Sequence, residues 1–273
     1  MGVVLSGASG RTYFNPPNLK PVPNFFANSA CFSTPNGIAQ GRVYDNATCT
    51  AQAVAAFNRA HQLTHEPAFV LPANWNQLSL AEQVFTALNL ERLAMGYSAY
   101  VGMSPVLNNA AHQAALQMRD PYGVTGPAFP ATYVDGIPRV GGSLAWLSTA
   151  LMAVYAWLYD DGWGGKGTTM DANCPGAGSP LCWGHREEML GAPAVGDPGV
   201  GTDCTNCVVG VGLAVHRGNL IIDAMVQRPA RRVAMTFTWA QELALAKRAA
   251  AHTPTTTTTS PTSATTTTVV AGA

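Results

Sequence analysis

The chain has 273 residues, 47% apolar and only 11% charged, and its fifteen basic and fifteen acidic side chains cancel. The apolar content is ample for a packed core, while the charged share is less than half the roughly 25% of an average globular domain. Zero net charge excludes a basic nucleic-acid platform, and the high apolar content excludes an acidic disordered chain.

Residues 1–30 carry Pro16, Pro17, Pro21 and Pro23 among scattered aromatics and read as an extended arm. Residues 31–74 follow as a disulfide-linked helical lead-in. Within it, Val54, Phe57 and His61 recur at helical spacing, which predicts a helix from its cap Thr50 to about Leu63. The main domain is expected over 75–251. Ser79 with Glu82 three residues on has the form of a capping box, and Gly96 suits the end of that helix. Ser104-Pro105 opens a third helix that ends near Asp120-Pro121. A fourth, the most apolar, is expected from Ser143 to Asp160, with Ser143 at its N-cap. Its run from Ala145 to Tyr159 is shorter than the roughly 20 residues a membrane span needs.

The pattern then changes. Val208 to Val215 and Leu220 to Val226 are β-branched runs on either side of Arg217-Gly218-Asn219, a hairpin signal. Val233 to Thr238 reads as a third strand and Trp239 to Ala251 as a closing helix. Helices first and antiparallel strands late predict an α+β fold. Residues 252–273, nearly all Thr, Pro, Ser and Ala, read as a disordered tail.

The six cysteines form three close pairs, Cys31 with Cys49, Cys174 with Cys182 and Cys204 with Cys207. Six cysteines allow about 15 pairings; bridges between sequence neighbours are expected because short loops close easily. Such a framework implies an oxidising compartment. Zinc fits poorly, since Cys174 and Cys182 stand further apart than paired zinc ligands. A redox C-x-x-C fits poorly too, since Cys204 follows a turn-rich run rather than a strand. Met1 to Leu5 is too short and uncharged for a signal peptide, so the chain reads as a mature form or one that starts downstream.

No catalytic signature is present: no G-x-S-x-G, no H-E-x-x-H, no phosphate loop and no dinucleotide fingerprint. The densest polar cluster is Trp183-Gly184-His185-Arg186-Glu187-Glu188. On a helix His185 and Glu188 share a face, and His185 titrates near neutrality. Asp160-Asp161 sits at an unfavourable helix end. His61, His112, His216 and His252 each stand alone and read as ordinary core or surface residues.

Several stretches then line up in order. Asn89-Leu90-Glu91-Arg92, Gly96 and Leu107-Asn108-Asn109-Ala110-Ala111-His112 resemble the N-x-x-R, G and L-x-x-x-A-q pattern of the CAP superfamily, which includes cysteine-rich secretory, antigen 5 and pathogenesis-related 1 proteins. Trp157-Leu158-Tyr159-Asp160 resembles its W-x-x-E, Gly184-His185-Arg186-Glu187-Glu188-Met189-Leu190 its G-H motif in the bacterial form, and Val209-Gly210-Val211-Gly212 its v-G-x-G strand. The resemblance covers roughly residues 70–230. It implies an α-β-α sandwich around a small antiparallel sheet. Family members often hold a divalent cation with two histidines and two glutamates. Of these only His185 matches, with Ser143 and Asp160 at the glutamate places and no histidine at 120–122. The resemblance therefore implies neither metal nor other cofactor here. It implies a secreted, monomeric, non-enzymatic protein that binds a lipid, another small molecule or a cell-surface partner. The alternative is a hydrolase with Ser143, His185 and Asp160 as nucleophile, base and orienting carboxylate and Glu188 alongside. A third reading makes the tail a tether for a surface-mounted module.

Overall fold

A computed structural model of the chain describes residues 47–121, 123–129, 133–134, 137–138, 141–145, 149–159, 184–190, 204, 206–216 and 219–252. The expected arm, Cys31, Asp160, Cys174, Cys182 and the tail from residue 253 lie outside the described residues.

The first helix, α1 (Ala47–Thr64), starts ahead of Thr50 because Cys49, buried and disulfide-bonded, draws the first turn into the core. In α2 (Leu80–Ala94) the capping box forms as expected: Ser79 Oγ accepts from the Glu82 amide, and Glu82 accepts from the Ser79 amide at 2.7 Å. Gly96 closes this helix at φ +83°, a conformation that favours glycine. The short strand β1 (Gly102–Met103) leads into α3 (Pro105–Gln117), which stops at a left-handed Met118. A two-stranded ribbon, β2 (Tyr133–Val134) with β3 (Ile137–Pro138), follows.

The helix expected from Ser143 to Asp160 divides in two. Its first part is a strand, β4 (Gly141–Ala145), and only Ala150–Tyr159 is helical (α4), opened by the Thr149 hydroxyl accepting from the Met152 amide at 3.2 Å. Ser143 is thus a strand residue opposite Ala224, not a helix cap. The reason is tertiary: Gly141-Gly142-Ser143-Leu144-Ala145 is too short to show a period of its own, and pairing with residues 222–226 decides it.

A one-and-a-half-turn to two-turn helix, α5 (Gly184–Leu190), holds the polar cluster. The hairpin forms as read, β5 (Val208–His216) with β6 (Asn219–Gln227). Of the expected third strand only β7 (Phe237–Thr238) is extended, and α6 (Trp239–His252) closes the fold. The sheet order is β4-β6-β5-β1-β7. It is mixed rather than antiparallel, because β1 runs parallel to β5. The molecule is α+β.

Helices cover both faces of the sheet. On one face Val209, Val211, Ile222, Ala224 and Val226 join the large core of α1, α2 and α4. On the other, Val208 and Met225 meet Leu107 and Ala111 of α3, and Ala214 and Ile221 meet Ala115. Here α3 lies directly on β5. Strand alternation points Gly210 and Gly212 at the helix, where a Cβ would strike the backbone of Leu107 and of Ala111–His112. The edge of β5 beyond β1 is covered by side chains one turn apart on α3. Asn108 accepts from the Val211 amide at 2.9 Å, and His112 Nδ1–H donates to the Leu213 carbonyl at 2.7 Å. Among the described residues Cys204 bridges to Cys207, and no helix is long and apolar enough to cross a membrane.

Candidate functional site

The best-connected titratable group sits in the large core. Phe57 and His61 share the buried face of α1, which sets the His61 ring between Pro67 and Glu91 of α2. His61 Nδ1–H donates to the Pro67 carbonyl at 2.5 Å, and Nε2 lies 2.9 Å from Glu91 Oε1. Tyr159, the last residue of α4, donates to Glu91 Oε2 at 2.6 Å. A carbonyl can only accept, so Nδ1 carries a proton; beside an ionised Glu91, Nε2 carries one too and His61 is an imidazolium. Burial alone pulls its pKa down, but Glu91 and the Pro67 carbonyl prevail and push it up to about 9. Burial likewise raises the Tyr159 hydroxyl well above its ordinary range. Glu66, which accepts from the Thr64 hydroxyl, is also raised by burial, against the opposing pull of that bond, Arg186 and His61.

The helix with His185 is held in place by this core. Arg186 is buried, donates to the Leu158 carbonyl at 2.6 Å and lies 4.8 Å over the Tyr159 ring. Arg92 donates to the Leu190 carbonyl, and Tyr100 Oη donates to the Met189 carbonyl at 2.8 Å, so the last two carbonyls of α5 are satisfied from α2 and the loop after it. Asn89 brackets Tyr100, accepting from its amide at 2.7 Å and donating to its carbonyl at 3.2 Å. The Asn89 and Arg92 of the sequence motif are therefore structural clamps on α5.

His185 itself is half-buried and Glu188 exposed. They share α5 at the expected spacing, and α5 packs against β4, β6 and α4. That brings the His185 helix against the Ser143 strand and the end of the helix that precedes Asp160, which itself lies outside the described residues. Sequence reasoning read His61 as isolated and passed over Glu91. Glu91 falls among the buried positions of α2, with Leu88 and Ala87 before it, and a carboxylate at such a position was the available signal for a buried partner.

Two features mark the α3 face. Asp223 on β6 is fully buried, and neither carboxylate oxygen has a hydrogen-bond partner among the described residues. Burial foremost, then the charge of Asp120, pushes its pKa up to about 8; Arg119 and the Ala224 amide, which does not reach hydrogen-bonding geometry, offset only part. The second feature is a cavity of about 550 Å³ between the N-terminus of α3, residues 124–129 and residues 231–234. Its wall is mainly apolar, with Val106, Phe129 and Val233, and Ser104, Arg231 and Arg232 supply polar groups. A turn in which Gly126 and Phe129 exchange backbone hydrogen bonds shapes one side, tied down by the Ala230 amide on the Ala128 carbonyl.

Among the described residues no three His, Cys, Asp or Glu side chains gather as a metal site. Comparison of the chain with protein-family models, with curated proteins and with solved structures finds no match.

Proposed function

We propose that the chain is a CAP-type domain, an α-β-α sandwich of the secreted bacterial kind, which acts at or outside the cell surface by binding a small molecule. The open pocket beside the α3 N-terminus carries the reading: about 550 Å³ of space lies against a mainly apolar lining with a few polar groups. Other features support it. Helices flank both sheet faces, and two of the resembling motifs have work in that architecture: Arg92 holds α5 directly and Asn89 through Tyr100, and Gly210 and Gly212 seat α3. The Cys204–Cys207 bridge agrees with an oxidising compartment. The group His61–Glu91–Tyr159 is closed to solvent with its ring nitrogens and carboxylate oxygens engaged, which leaves no room for a substrate. Native mass spectrometry of the full chain tests the proposal. A small molecule released on denaturation is expected; a protein that arrives empty and takes up no added acid, alcohol or phosphate contradicts it.

The packing of α5 on β4 and α4 favours a second reading, a hydrolase built on His185, Ser143 and Asp160. His185→Ala and Ser143→Ala, assayed on simple esters, decide it: hydrolysis lost at unchanged stability would replace the binding reading.

A further inference from the structure

Three kinds of donor without acceptors meet at the cavity beside α3. The first is the helix N-terminus. Pro105 at the first position has no amide hydrogen, the Asn108 amide is taken by the Ser104 carbonyl at 2.8 Å, and the amides of Val106 and Leu107 have no acceptor among the described residues. The second is Ser104, which lines the cavity although fully buried. It occupies the N-cap, yet its hydroxyl makes no capping bond and has no hydrogen-bond partner among the described residues. Buried polar groups without partners are few in native proteins, and each asks for a reason. The third is the pair Arg231 and Arg232, exposed and without ion-pair partners among the described residues. Among the described residues that line the cavity none is acidic.

We propose that this cavity binds an oxyanion, a carboxylate or a phosphate, at the N-terminus of α3. The helix dipole and its unpaired amides favour negative charge there. A serine hydroxyl can donate to an anion oxygen, and guanidinium forks match carboxylate and phosphate geometry. Phe129 and Val233 offer an apolar wall for the body of an amphipathic acid. The inference rests on the small-molecule binding reading and gives it a ligand class.

Calorimetric titration of the full chain with decanoate, decanol and inorganic phosphate tests it. Decanoate is expected to bind at least roughly tenfold more tightly than decanol, since only the acid offers charge-assisted hydrogen bonds. If phosphate alone binds as well as decanoate, the oxyanion is a free ion; if decanoate prevails, it is the head of a lipid-like acid; either result supports the site. The double variant R231A/R232A, altered only at exposed positions, should lose roughly tenfold in affinity for the anion and none for decanol. Ser104→Ala should melt higher than the wild type and bind the anion several-fold more weakly. A higher melting point with unchanged affinity makes Ser104 merely a buried hydroxyl and overturns the proposal. Equal binding of decanol and decanoate overturns it while leaving the binding-protein reading intact. Binding of none of the three overturns both.

Discussion

The two faces of the sheet treat buried charges differently. Toward α1, α2 and α4 the buried charges are matched: His61 with Glu91, Glu91 with Tyr159, Arg92 and Arg186 with backbone carbonyls. Toward α3 the Asp223 carboxylate, a buried charge, and the Ser104 hydroxyl have no hydrogen-bond partner among the described residues; on the first face the unpartnered group of this kind on α2 is the neutral Thr86 hydroxyl. A buried ion pair adds little net stability but is costly to break, so the first face reads as scaffold. Unmatched groups cost the fold and gain only when something else meets them, so the second face reads as the side that meets a ligand.

The largest expected effect comes from breaking the matched face. Glu91→Ala leaves an imidazolium and a phenol buried without their acceptor and should cost about 3–5 kcal/mol in chemical denaturation. A loss under 1 kcal/mol would mean the network carries no charge. The same network predicts a pH dependence. The His61 pKa is raised to about 9 from an unfolded value of 6.5. Its contribution is therefore complete below about pH 6.5 and fades as the pH rises through about 9. Wild-type stability should fall across that window, and Glu91→Ala should flatten the fall.

Next comes the contact between α3 and β5. Gly212→Ala places a methyl group against the backbone of Ala111 and His112, where no side chain can yield, and should cost about 3 kcal/mol. A neutral outcome would mean that α3 moves easily off the strand.

A smaller effect, of opposite sign, tests the unmatched face. The Asp223 pKa is raised to about 8 from 3.8, so protonation supports the fold fully below about pH 3.8, and that support is lost as the pH rises through about 8. Asp223→Asn, which never ionises, should gain about 2 kcal/mol on the wild type between pH 4 and pH 8. Parallel stability curves for the two proteins over that range would show that Asp223 has partners in solution.

Much of this arrangement could be read from local chemistry. The Ser79–Glu82 box, the Gly96 stop, the Pro105 start and the β5–β6 hairpin depend on residues close in sequence, and each formed where read. The strand at 141–145 was missed because its pairing with β6 reaches across the chain, and nothing in the local sequence Gly-Gly-Ser-Leu-Ala announces it. His61 and Glu91 come from helices separated in sequence, so neither looked charged or paired. The mixed sheet had the same cause: two residues of β1 placed beside β5. His185 and Glu188 lie on one helix as expected. The Ser104 cavity escaped notice because its walls come from three separate segments and a serine before a proline reads as an ordinary cap.

The direct test of the contrast between the faces is to watch where a ligand lands. Backbone amide spectra of the full chain, recorded during titration with decanoate, should show the largest shifts at Val106, Leu107, Arg231 and Arg232, with His185 and its helix unmoved. Shifts centred on His185 and the residues of α5 would contradict the account and put the binding site on the other face of the sheet.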